Sequence, residues 1–179
     1  MSNQTHCLLD KVIARYILSG LWKLNQNQPV TQTELFSLNL FYRASPQLHL
    51  LIVPATDNVL QQLSKLPQYT SLIQFFRQRS GIVQPARYCK RWSRRLRGYG
   101  FSREDANVLT LATFGLDEMR AVLGSNFVAT YDQPMMNNWT KREDEIADHL
   151  AAMRRDLLEP YDQVSLPLVK RPEAILALI

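Results

Sequence analysis

Short apolar runs and longer stretches of helical periodicity alternate along this chain. Cys7-Leu8-Leu9 reads as a buried strand, and Val12, Ile13, Tyr16, Ile17, Leu21 and Leu24 then keep a helical period over residues 10–26. The break at 25–29 ends that helix. Thr31-Gln32-Thr33-Glu34 has the form of a capping box, predicting a helix to about Ala44 that Pro46 stops and giving Glu34 a structural role. His49 to Val53 is a second strand, followed by helices over 56–66 and 71–79 and a short strand at Ile82-Val83. A helix over 87–97 ends at Gly98 and Gly100, and Ser102 opens another in which Ala106, Leu109, Leu111 and Ala112 pack inward. Residues 126–130 form a late strand, Pro134 starts a short helix, and Lys141 to Leu158 is a charged amphipathic helix. From Pro160 the tail reads as extended, with an apolar end at 174–179.

Strands alternating with helices across short loops predict an α/β fold, a three-layer α/β/α arrangement around a mainly parallel sheet. At 179 residues the chain suits one globular unit. Residues 1–139 read as its α/β domain, and 140–179 as a helix and tail packed on or extending it. Cys7 and Cys89 are too few for a disulfide framework, no apolar run reaches the roughly 18 residues of a membrane span, and the amino terminus lacks the pattern of a secretory signal. The expectation is a cytoplasmic protein with no membrane partner.

Charge changes this picture locally. The chain has 21 Lys and Arg against 16 Asp and Glu, a net charge of +5. Arg87, Lys90, Arg91, Arg94, Arg95, Arg97 and Arg103 fall in one window without an acidic residue, and outside it the balance is negative. On a helix the first six share about half of the surface, while Tyr88, Trp92, Leu96 and Tyr99 group elsewhere. The apolar group suits burial, with Trp92 a core residue rather than a stacking platform. The guanidinium row suits a phosphate backbone, because neutralised phosphates release condensed counter-ions. The plainer alternative is a solvated helix that pairs with acidic neighbours.

Candidate chemistry lies in the aspartates. Asp10 follows the first strand, Asp132 follows the run Phe127 to Tyr131, and Asp105 opens the helix after Ser102. Carboxylates at the carboxyl ends of parallel strands converge on the crevice where open α/β sheets bind ligands. Such a cluster repels itself unless a cation neutralises it, and hard oxygen donors favour Mg²⁺ or Mn²⁺. There is no Gly-rich phosphate loop, paired Cys-x-x-Cys or Ser nucleophile elbow, and His6, His49 and His149 lack metal-ligand spacing. Each aspartate also has a structural reading as a helix cap, since a carboxylate at a helix amino terminus gains about 0.3 to 1 kcal/mol from the dipole.

Three motifs in order, Leu8-Leu9-Asp10-Lys11-Val12-Ile13, Glu104-Asp105-Ala106-Asn107-Val108-Leu109-Thr110-Leu111-Ala112 and Val128-Ala129-Thr130-Tyr131-Asp132, resemble the PIN-like nucleases, a family that includes ribonuclease toxins of toxin–antitoxin systems. The resemblance spans residues 7–138. It implies a metal-dependent endoribonuclease in which Asp10, Asp105 and Asp132 hold Mg²⁺ or Mn²⁺, Thr130 orients a water or a carboxylate, and RNA is the substrate. An antitoxin protein and a homodimer are partners of the kind the family takes. Three positions depart from the family pattern. Val12 stands where Asn is usual. Counting from Thr56 reaches Val59 where Glu is usual, leaving Asp57 as a substitute ligand and Asn58 beside it. Gln133 to Asn138 carries no acid after the closing Asp. The alternative is a catalytically inactive PIN-like protein that binds RNA or a protein partner through helix 87–97.

Overall fold

The computed structural model describes residues 5–44, 48–124 and 127–179. Its centre is a five-stranded, wholly parallel sheet of β1 (Thr5–Leu9), β2 (Leu48–Ile52), β3 (Ser80–Ile82), β4 (Phe127–Ala129) and β5 (Leu168–Lys170), in the order β3-β2-β1-β4-β5. The helices are α1 (Lys11–Asn25), α2 (Gln32–Tyr42), α3 (Pro54–Leu63), α4 (Pro67–Gln78), α5 (Cys89–Gly98), α6 (Arg103–Phe114), α7 (Gln133–Arg154) and α8 (Pro172–Leu176). The expected stop at Pro46 and the first residue of the expected strand 126–130 lie outside the described residues.

Strands covered on both faces need apolar residues at successive positions, and Cys7-Leu8-Leu9 and Leu50-Leu51-Ile52 supply them. Leu8, Leu51, Val128 and Val169 face one layer, where Trp92 and Leu96 of α5, Leu109 of α6 and Ile146 of α7 meet them. Cys7, Leu9, Leu50, Ile52 and Ala129 face the other, against Ile13 and Ile17 of α1, Phe41 of α2, Phe76 of α4 and Ile175 of α8. The result is a three-layer α/β/α fold.

The capping box of α2 is present. Thr31 Oγ1 accepts from the Glu34 amide, and the Glu34 carboxylate accepts from the Thr31 amide at 2.7 Å. Gly20 allows α1 and α2 to approach closely, since a Cβ there would sit 2.7 Å from Leu38 Cδ1. That approach brings Glu34 under α1, where Ser19 Oγ and Lys23 Nζ donate to it at 2.6 and 2.9 Å.

Three expectations need correction. The short helix at Pro134 and the helix over 141–158 are one continuous α7 ending at Arg154, because Met135, Trp139, Ile146, Leu150 and Met153 bury a single face across the polar stretch that suggested a break. The basic helix begins at Cys89, two residues later than expected, after Tyr88 adopts a left-handed φ of 73°. The tail holds a strand and a helix. β5, only three residues long between Pro167 and Pro172, is too short for its alternation to register, yet it pairs in register with β4. Among the described residues, no helix is long and apolar enough to cross a membrane.

Candidate active site

The chain passes from β1 outward through β2 to β3 and later returns to β4 on the other side of β1. The junction between β1 and β4 is therefore the topological switch point, whose carboxyl edge is the usual ligand crevice of an open α/β sheet. Asp10 and Asp132 follow those two strands.

Asp10 is 7% exposed. Its amide donates to the Ala129 carbonyl at 3.0 Å, continuing the β1–β4 ladder. One carboxylate oxygen accepts from the Lys11 amide at 2.7 Å, capping α1, and the other accepts from the Thr130 hydroxyl at 2.8 Å. Thr130 is fully buried, and its amide donates to the Lys170 carbonyl of β5 at 3.1 Å. The same hydroxyl accepts from the Asp132 amide at 2.9 Å. Asp132, half-buried, caps α7 by accepting from the Met135 amide at 2.8 Å. One buried hydroxyl thus fixes both carboxylate-bearing residues across the switch point.

Burial pushes the Asp10 carboxyl above its ordinary range. The Thr130 and Lys11 hydrogen bonds pull it back, and the neighbouring Asp132 and Glu104 carboxylates push it further up. Glu104, in the first turn of α6, is a member of this group that the sequence reading did not single out. Asp105 has its amide on the capping Ser102 hydroxyl at 3.0 Å. Its charge, with those of Glu104 and Asp10, acts on Lys11, but among the α6 carboxylates it is Glu104 whose charge acts on Asp10. The visible signal was the adjacency of Glu104 and Asp105 at the helix start, where only the approach of α1 decides which side chain meets Lys11.

Asp57 and Asn58 are not brought to this group. Asp57 is buried on α3, held by Gln61 at 2.6 Å and by Arg77 of α4 at 3.2 Å, and Asn58 is exposed. Asp57 therefore serves as the partner of a cation on the neighbouring helix, which accounts for its burial.

A groove of about 720 Å³ runs from the switch point between α1 and the α3–α4 pair. Leu18, Trp22, Leu60, Leu63, Tyr69 and Leu72 give it apolar walls, and Asp10, Lys11, Glu104 and Asn107 form its polar end. The Trp22 and Tyr69 rings lie 5.2 Å apart between centroids.

Trp92 and Leu96 bury one side of α5 against α6, while Lys90, Arg91, Arg94, Arg95 and Arg97 are exposed, as is Arg87 in the preceding turn. Arg87 lies over the Tyr88 ring at 5.4 Å. Among the described residues these six form no salt bridge. Arg95 and Arg91 lie close enough to His149 of α7 to help burial hold its pKa below the ordinary value. The turn at 99–102 leads directly from α5 into α6, so Arg97 and Arg103 lie at the end of this helix pair that carries Glu104.

Among the described residues no three His, Cys, Asp or Glu side chains are grouped to hold a metal ion. Asp10 and Asp132 form a narrower donor set. Mg²⁺ binds through one or two carboxylates, keeping several waters and taking substrate phosphate oxygens as further ligands. Two hard carboxylates at a switch point fit that mode of binding and do not fit a closed protein cage. No family model matches the chain, and no curated protein or solved structure matches it.

Proposed function

We propose that this protein is a metal-dependent endoribonuclease of PIN-like type. The observation that carries the reading is the pairing of Asp10 and Asp132 through Thr130 at the switch point, with Glu104 lining the same groove as Asp10. A buried carboxylate beside two others carries a cost, and an acid whose pKa is raised in a cleft is a functional-site signature. Asp10 with Asp132 would hold Mg²⁺ or Mn²⁺, which when bound supplies positive charge to the scissile phosphate and activates water. Thr130 holds the Asp10 carboxylate and the Asp132 main chain in place, so that little reorganisation is needed as the substrate arrives. The exposed guanidinium groups of α5 bind the RNA backbone, fixing register without reading sequence.

A second reading is favoured by two observations. Lys11 already neutralises Glu104, and Asp57 is committed to Arg77. On that reading the acidic crevice is inert, and the protein binds RNA through α5 alone. One experiment separates the two: a single-stranded RNA oligonucleotide is incubated with wild-type protein and with Asp10→Asn in Mn²⁺ or EDTA, and binding is measured in parallel. The proposal expects cleavage by the wild type only, lost in EDTA and falling roughly 10²- to 10³-fold in the variant, with binding intact. Binding without cleavage in the wild type establishes the second reading. Equal cleavage by both proteins removes Asp10 from the chemistry.

A further inference from the structure

Lys11 holds an unusual position. It follows Asp10 directly, at the start of α1 in one helical layer, and its Nζ reaches Glu104 at the start of α6 in the other. The ammonium meets both carboxylate oxygens, at 2.5 and 2.6 Å, and the carboxylates of Asp10 and Asp105 add to the attraction. This contact lies at the polar end of the groove, which Asp10, Lys11, Glu104 and Asn107 line together. The chain itself thus supplies one positive charge among three surrounding carboxylates.

The pair is also easily opened. The two side chains are 58% and 57% exposed. An ion pair in contact with water is weak, and a lysine is a point charge on a flexible stem that can be redirected. A phosphate approaching the crevice is a natural alternative partner for it.

We propose that the Lys11 ammonium is a tethered counter-ion of the acidic crevice, competing with a divalent cation until an RNA phosphate draws it from Glu104, so that metal and RNA bind cooperatively. This rests on the metal-dependent reading above. Removal of Lys11 leaves its carboxylate partners without their cation and raises the attraction for Mn²⁺. Thermodynamic linkage makes the effect reciprocal: if RNA tightens Mn²⁺ binding, Mn²⁺ tightens RNA binding by the same factor.

The test is Mn²⁺ binding followed by electron paramagnetic resonance of the free ion. Wild type, Lys11→Met, Lys11→Gln and Lys11→Met/Asp10→Asn are compared, with and without a phosphorothioate RNA oligonucleotide whose own Mn²⁺ uptake is measured separately. Without RNA, both Lys11 single variants are expected to bind Mn²⁺ at least about tenfold more tightly than wild type, and the double variant to lose that gain. RNA phosphates that ligate the metal tighten Mn²⁺ binding in every protein, and RNA is expected to tighten it in wild type by a further factor of similar size that Lys11→Met lacks. Equal tightening in both would overturn the cooperative role of Lys11. Wild type and Lys11 variants that bind Mn²⁺ equally would overturn this inference while leaving the metal-dependent reading in place. Absence of Mn²⁺ binding in every protein, with and without RNA, would overturn both.

Discussion

Two buried carboxylates in this molecule have opposite surroundings. Glu34, between α1 and α2, accepts hydrogen bonds from Ser19, Lys23 and the Thr31 amide. Burial would raise its pKa, but these donors outweigh it and hold the carboxyl down to about 2. Burial pushes Asp10 the other way; its two donors, Thr130 and the Lys11 amide, do not offset that, and two carboxylate neighbours, Asp132 and Glu104, add to it. A charge that the fold fully compensates is a structural element. A charge that the fold holds in place but leaves partly uncompensated has room for a ligand.

The largest difference should appear in substitutions that remove each charge. Glu34→Gln breaks a buried ion pair and is expected to cost roughly 3 kcal/mol in urea denaturation, with RNA binding unchanged. Asp10→Asn relieves repulsion and is expected to change stability by less than about 1 kcal/mol. A severe loss for Asp10→Asn beside a neutral Glu34→Gln would reverse the assignment of roles.

Thr130→Val sharpens the same contrast, since it leaves the inner oxygen of Asp10 and the Asp132 amide without their shared hydroxyl. A stability loss of about 1 to 3 kcal/mol is expected, with a decrease in Mn²⁺ affinity of roughly 10- to 100-fold. Unchanged affinity alongside the stability loss would confine Thr130 to holding the fold.

The pH dependence of stability separates the two groups by sign. Glu34 has a depressed pKa, so its contribution is complete above the ordinary value of 4.5 and is lost as pH falls from there toward about 2. Asp10 has a raised pKa, so the folded state holds its proton more firmly, and ionisation above the ordinary 3.8 subtracts stability as pH rises. Urea midpoints measured across the acid range should therefore fall less steeply on acidification in Glu34→Gln than in wild type. In Asp10→Asn, wild-type stability should be exceeded most at neutral pH. Parallel profiles for all three proteins would show that neither carboxyl is shifted.

The smallest effect concerns α5. Neutralising Arg91, Arg94 and Arg95 should weaken RNA binding and reduce the slope of log K against log salt by about 2, as expected for three lost phosphate contacts on a single strand. An unchanged slope would move the RNA path away from this helix.

The contrast between Glu34 and Asp10 was only half legible in the sequence. The capping box identified Glu34 because its partner Thr31 is three residues away and the motif has a local mechanism. Asp10 was visible as a carboxylate after an apolar run, but its partner Thr130 lies 120 residues further on. Asp57 stood near the right strand and was assigned with the others, whereas its surroundings gave it to Arg77, a residue of the next helix. Residue type and spacing said nothing about which way its side chain would turn.

Local physics was enough to set the alternation of strands and helices, the aspartates at their junctions and the basic face of α5. Hydrophobic period and capping act over a few residues and leave their record there. Tertiary structure alone decided that Glu104 lines the same groove as Asp10, that Lys11 reaches across 93 residues of sequence to neutralise Glu104, and that residues 168–170 close the sheet as β5. Those outcomes depend on how two helical layers meet over the carboxyl edge of the sheet. Charges that interact across that edge need no pattern in sequence, because packing sets their distance.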